Sequence, residues 1–338
     1  TIGMDATKSS SAINEGYINV NAFNSAVGMV GSESSSVTNQ GSGIIDGSST
    51  NGIDLNFTGY KTTNSIVGMY ADTNSSILNL GDIKGSAVQA ISTATVSTAQ
   101  SESGISKLAS DTFNFGDSSS DPVPASGTMV GMEAMILNVG PNLSSNTVSV
   151  KNDYSGKIYL SANSLGATND SVLVSLVGMG SWLDDAFVNG SQNINRTENA
   201  SLINNGAIDL KYSGVYTPSD STALKSGLGG IIGMRADANT KATNVGTIKI
   251  SLDDAGTAAD VSAAAGMQSV HGGNLTNGGD ITIAATAGNN RINYGMLAVK
   301  GAGKLADTLS ATQQIINSGN INLQASNSYG MASFNGGT

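Results

Sequence analysis

Cysteine is absent from this chain, which excludes both a disulfide framework and a thiolate metal site. Charge is scarce too: only 12% of the 338 residues are Asp, Glu, Lys or Arg. The positive side is the thinner one, with Arg196, Arg235 and Arg291 as the only arginines and a net charge of −10. That balance makes nucleic acid or an anionic membrane surface a poor partner. No run of eighteen apolar residues occurs, so no transmembrane helix is expected.

The usual marks of catalysis are also missing. The one histidine, His271, sits in Val270-His271-Gly272-Gly273 with no partner at metal-ligand or nucleophile spacing, and it reads as a turn residue. There is no G-x-S-x-G, P-loop or H-E-x-x-H. The carboxylate pairs Asp184-Asp185 and Asp253-Asp254 have no basic residue close by. A glycosidase needs two carboxylates at a set separation, whereas these are adjacent residues that read as solvated acidic turns or weak calcium sites. No cofactor is expected, and the chain reads as non-catalytic.

What the chain does have is repetition. Gly-Met recurs at Met4, Met29, Met69, Met132, Met179, Met234, Met267, Met296 and Met331. A second fixed point, Asn-x-Gly-x-Ile, is strict at Asn14, Asn79, Asn204, Asn244, Asn277 and Asn317, with a looser copy at Asn39-Gln40-Gly41. In five copies Met and Asn are ten residues apart. After the asparagine, segments such as Ile53-Asp54-Leu55, Ile208-Asp209-Leu210 and Ile321-Asn322-Leu323 alternate apolar with polar, the mark of a strand with one buried face.

Successive Gly-Met copies stand 25 to 63 residues apart. So uneven a period fits a β-solenoid, whose coils tolerate side loops, better than a propeller. One coil cannot bury its apolar face alone; stacking closes the core. At roughly 4.8 Å per coil, eight complete repeats make a rod on the order of 40 Å long. The fold expected is therefore all-β: a single parallel β-helix over residues 1–338 with eight to nine coils.

In such a rod Met29, Met69, Met132, Met179, Met234, Met267 and Met296 should fill the interior and stack coil on coil. Asn79, Asn244 and Asn277 should bond to the same amide one coil away. The asparagine tolerates left-handed backbone, and the glycine two residues later suits a turn with positive φ. Both chain ends fall inside repeats with no visible cap or signal peptide, so the chain reads as a piece cut or processed from a longer array.

Insertions are expected at 41–52, 86–128, 180–199 and 297–316. The fourth repeat is irregular, with Pro141 after Asn138-Val139-Gly140 and its next strand only at Ile158. Residues 306–314 could make one or two helical turns. The 180–199 insertion holds the only tryptophan, Trp182, beside Asp184, Asp185 and Phe187. An aromatic next to carboxylates suits a sugar ligand; the rival reading folds Trp182 and Phe187 down over the rod.

Val67-Gly68-Met69-Tyr70-Ala71 with Asn79-Leu80-Gly81-Asp82-Ile83, and Ile232-Gly233-Met234-Arg235-Ala236 with Asn244-Val245-Gly246-Thr247-Ile248, resemble the passenger repeats of large bacterial autotransporter adhesins. Fusobacteria and campylobacters carry such proteins. The resemblance implies a right-handed helix on the bacterial cell surface, held by a C-terminal outer-membrane barrel that is not part of this chain. It implies an adhesin that attaches to a protein or glycan of a host or neighbouring cell. Two alternatives stay open: a filament or surface-layer subunit stacking end to end, and a polysaccharide lyase or hydrolase built on the same helix.

Overall fold

The computed structural model describes residues 2–20, 25–41, 43–48, 65–88, 128–136, 147–163, 175–183, 199–214, 231–237, 240–254, 263–270, 272–286, 292–299 and 314–334. Their strands follow one another in threes. The first coil is β1 (Ile2–Ala6), β2 (Ser11–Asn14) and β3 (Tyr17–Asn19). The second is β4 (Ser25–Gly31), β5 (Ser36–Asn39) and β6 (Ile44–Ser48), and the third β7 (Ser65–Ala71), β8 (Ser76–Asn79) and β9 (Asp82–Val88). The fourth is β10 (Thr128–Ile136), β11 (Thr147–Asn152) and β12 (Lys157–Asn163). The fifth is β13 (Ser175–Leu183), β14 (Asn199–Asn204) and β15 (Ala207–Gly214). The sixth is β16 (Ile231–Ala236), β17 (Thr240–Asn244) and β18 (Thr247–Asp254). The seventh is β19 (Ala263–Val270), β20 (Asn274–Asn277) and β21 (Asp280–Ala285). Then come β22 (Ile292–Val299), β23 (Ile315–Asn317) and β24 (Asn320–Gln324), and finally β25 (Ser328–Phe334).

Each strand pairs in parallel with its counterpart in the next coil, giving sheets of nine, eight and eight strands around one core. The chain is a parallel β-helix. We name the sheets by the residue that each repeats. In the methionine sheet nine methionines stand in one row, from Met4↔Met29 to Met296↔Met331. In the isoleucine sheet Ile18, Ile45, Ile83, Ile158, Ile208, Ile248, Ile281 and Ile321 form another. The seven internal methionines are wholly buried.

The Gly-Met pair exists because the two sheets meet there. A Cβ on Gly68 would stand 2.5 Å from Ile83 Cγ2 and 2.6 Å from the carbonyl oxygen of Gly131 in the next coil. The glycine also shifts which way the strand faces. In β16, Ile231 and Met234 belong to the core while Ile232 packs in a separate cluster with its counterparts Val67, Val130 and Val177. Residues two apart thus face opposite ways, and the glycine between them absorbs the break in alternation.

Asparagine closes the third corner. From Asn14 through Asn39, Asn79, Asn152, Asn204, Asn244 and Asn277 to Asn317, each Nδ2 donates to the Oδ1 of the next coil at 2.7–2.9 Å. In most coils it also donates, more weakly, to a nearby backbone carbonyl, as Asn277 does to Gly279 at 3.2 Å and Asn204 to Thr247 at 3.3 Å.

Three local readings need correction. None of the ladder asparagines has positive φ, and among the described glycines only Gly272 does. The turn glycine is there for space: a Cβ on Gly279 would meet Val245 O at 2.5 Å. The second coil turns at Gly43 and runs straight into β6, so the supposed 41–52 insertion contains a strand, while Ile53–Leu55 lies outside the described residues. In the fourth coil the ladder residue is Asn152; two extra residues separate it from Gly156, which hides the motif. The 306–313 segment and His271 also lie outside the described residues.

Candidate functional site

The outer faces of the three sheets differ. The asparagine and isoleucine sheets alternate buried with half-exposed or exposed residues, as in β11 and β14. From β4 to β22 the strands of the methionine sheet are buried on both faces, and β16 is buried at every position; the end strands β1 and β25 are largely exposed. Val27, Val67, Val130, Val177, Ile232, Tyr70, Met135 and Trp182 make an apolar cluster on that outer face, separate from the core.

Trp182 lies there as part of β13, paired with Met135, and is 2% exposed. The 180–199 insertion therefore starts inside a strand. The Trp182 ring folds back over Gly180, where no Cβ would fit. The Arg235 guanidinium sits 5.0 Å from the centre of that ring. So the tryptophan stacks on an arginine of its own chain, the arrangement in which the ring's negative face offsets a buried charge. Asp184, Asp185 and Phe187 lie outside the described residues. Asp253 is exposed at the end of β18.

Arg235 itself is wholly buried. Its Nη1 donates to Ser181 O at 2.6 Å, and its Nη2 stands 3.3 Å from Asp237 Oδ2. The Asp237 amide donates to Ser181 Oγ at 2.9 Å, and that hydroxyl bonds Thr240 Oγ1 at 2.7 Å. These contacts tie the fifth coil to the sixth at the corner between the methionine and asparagine sheets.

The residue after each methionine forms a row on this face: Asp5, Val30, Tyr70, Glu133, Gly180, Arg235, Gln268, Leu297 and Ala332. Glu133 is wholly buried and neither carboxyl oxygen has a hydrogen-bond partner. Burial, and then the charge of Asp72, push its pKa well above the ordinary glutamate value. Asp72 is also raised, first by burial, although Tyr70 donates to its Oδ2 at 3.0 Å. Glu133 and Arg235 are two coils apart, about 9–10 Å, and the Trp182 ring fills the space over the glycine between them. Acid and base do not meet.

Such a row can hold a neutral carboxylic acid and a paired guanidinium in an apolar setting. Among the described residues no group of three or more His, Cys, Asp or Glu side chains could hold a metal ion. Sequence reasoning missed Glu133 and Arg235 as buried charges. The signal was present: in Met129-Val130-Gly131-Met132-Glu133-Ala134-Met135-Ile136 apolar residues stand on both sides of the charge, the pattern of a strand covered on both faces. Comparison with protein-family models, curated proteins and solved structures finds no match.

Proposed function

We propose that this chain is a non-catalytic stalk and adhesion segment of a bacterial surface protein of the autotransporter-passenger kind. The observation that carries the reading is where sequence variation is allowed. Between asparagine-sheet and isoleucine-sheet strands the link is only two residues, as from Asn14 to Tyr17, to four, as from Asn39 to Ile44. Every longer stretch between strands enters or leaves the methionine sheet. A rod whose rows never break fixes the points at which these segments leave and rejoin it, and segments borne on a rigid scaffold are where binding resides.

The partner is a protein or glycan of a host or neighbouring cell, and anchoring runs through an outer-membrane barrel outside this sequence. The test is binding of the full chain to cells and to a glycan panel, beside a chain with residues 184–198 replaced by a short linker. Loss of binding on replacement supports the reading. Failure of the full chain to bind any cell or glycan sinks it, and so does release of new reducing or unsaturated ends from the polysaccharides in the panel.

End-to-end stacking into a filament or surface layer is the second reading. Ile2, Ile13 and Tyr17 in the first coil are 50–57% exposed, and Ile316, Tyr329 and Met331 near the other end are 43–55% exposed. Strand edges carrying such residues are templates for a further coil. Light scattering and electron microscopy over a concentration series test it; a strictly monomeric rod rules it out.

A further inference from the structure

The rod separates two kinds of asparagine. The eight ladder asparagines are committed to each other, and none has Ser or Thr two residues on: the strict motif puts glycine there, and Asn152 is followed by Asp153-Tyr154. Three other asparagines do: Asn74-Ser75-Ser76, Asn199-Ala200-Ser201 and Asn274-Leu275-Thr276. They are the only Asn-x-Ser/Thr sequences among the described residues, and all three asparagines are exposed. The further copies at Asn56, Asn142, Asn169, Asn189 and Asn195 lie outside the described residues.

The geometry favours these three as acceptors. Ser75, Ala200 and Leu275 are buried; in β14 and β20 period-two alternation puts the asparagine and the hydroxyl two residues on upon the same outer face, where Ser201 and Thr276 are half-exposed, and Ser76 after the Asn74 turn is exposed. Asn199 and Asn274 open β14 and β20; Asn74 sits in the tight turn before β8 with φ of 60°. Their strands are every second one in the asparagine sheet, whose order runs β8-β11-β14-β17-β20. The sites are thus about 9–10 Å apart along the axis, room for one sugar each. Asn74 and Asn199 flank Thr147 in the same column: Thr147 pairs with Asn199, and its amide donates to Asn74 Oδ1 at 3.3 Å.

We propose that Asn74, Asn199 and Asn274 are sites of N-linked glycosylation on the outer face of the asparagine sheet, with Asn274 in the column of Ser201 and Lys241, two residues along the strand from that of Asn199. The substrate class is a hexose activated through a nucleotide diphosphate. The asparagine Nδ2 attacks the anomeric carbon, an N–C bond forms and the anomeric C–O bond breaks. The amide gives one proton to the transferase, and the nucleotide diphosphate leaves. The acceptor sequence and an exposed site are what such a transferase reads. This assignment does not depend on the adhesion reading.

The experiment incubates the folded 338-residue chain with a sequon-reading N-glycosyltransferase and a nucleotide-diphosphate hexose, then maps peptides by mass spectrometry with electron-transfer fragmentation. The expected result is one hexose on each of Asn74, Asn199 and Asn274 and none on the ladder asparagines. Ser76→Ala, Ser201→Ala and Thr276→Ala should each abolish the label at the asparagine two residues before it, with unchanged melting. Each site stands or falls on its own peptide. An unlabelled site in the folded chain, while a free peptide of the same sequence is labelled, overturns it, as does a label that survives loss of the hydroxyl.

Discussion

Two rows along this rod bury polar side chains, and they solve the problem of burial in opposite ways. The asparagine ladder repeats one residue, so each amide finds its partner by translation: the neighbour has the same group at the same height. The outer row of the methionine sheet changes residue at every coil. There Arg235 needs a guanidinium-to-ring stack, a serine carbonyl and an aspartate, all gathered from two coils, and Glu133 has no hydrogen-bond partner at either oxygen. Repetition satisfies buried polar groups without local invention. A single unlike residue must be satisfied by its surroundings or stay protonated.

The comparison can be broken from the inside first. Met69→Asp puts an unpaired charge into the core row, a cost of about 3–5 kcal/mol, and should abolish cooperative melting followed by circular dichroism. On the outer face, Trp182→Ala removes the ring over Gly180 and the π face under Arg235. It should cost about 3–4 kcal/mol in denaturant unfolding, the large end of the outer-row effects. Asn204→Ala strands the donor of Asn152 and the acceptor of Asn244; at roughly 1 kcal/mol or more for each group, it should cost about 2–3 kcal/mol.

The smallest change sharpens the contrast by reversing its sign. Glu133→Gln keeps the shape and removes the titration, and should stabilise the rod by about 1 kcal/mol at neutral pH. The sign follows from proton binding. Folding raises the Glu133 pKa, so above the ordinary value of 4.5 the folded state holds more protons than the unfolded one. Stability from this group therefore falls as pH rises from 4.5 toward the raised folded value, and levels off beyond it. Glu133→Gln should flatten that part of the melting-temperature profile; an identical slope in the variant would show that Glu133 is not the group responsible.

The fold was legible because its causes are periodic. Met and Asn at constant spacing report a constant geometry, and Ile-x-Leu segments report a strand with one dry face. Failures came where spacing alone was the guide. Gly43 and Gly156 do the work of the motif glycine from two positions further on, so the motif hides Asn152 and reads Ile44–Ser48 as part of a loop. Residue type alone suggests positive φ, whereas the turn glycine is required by an approaching carbonyl in the neighbouring coil. At the candidate site, Trp182 gave an aromatic beside acids but not its direction. Direction depends on Gly180 and on Arg235, which lies 53 residues away in sequence and one strand away in space.

The ladder of amides has a sense of travel. Every Nδ2 points toward the higher-numbered coil and every Oδ1 toward the lower. Turning one amide over would set nitrogen against nitrogen on one side and oxygen against oxygen on the other, two faults for a single flip. The row therefore turns as one, as spins do in a one-dimensional magnet, and the backbone carbonyls that most of these Nδ2 atoms also meet favour the forward sense. Its orientation is a property of the whole rod rather than of any residue. A replacement that lacks either the donor or the acceptor cuts it into two segments, each then held in its sense only by its own amides and the backbone carbonyls beside them.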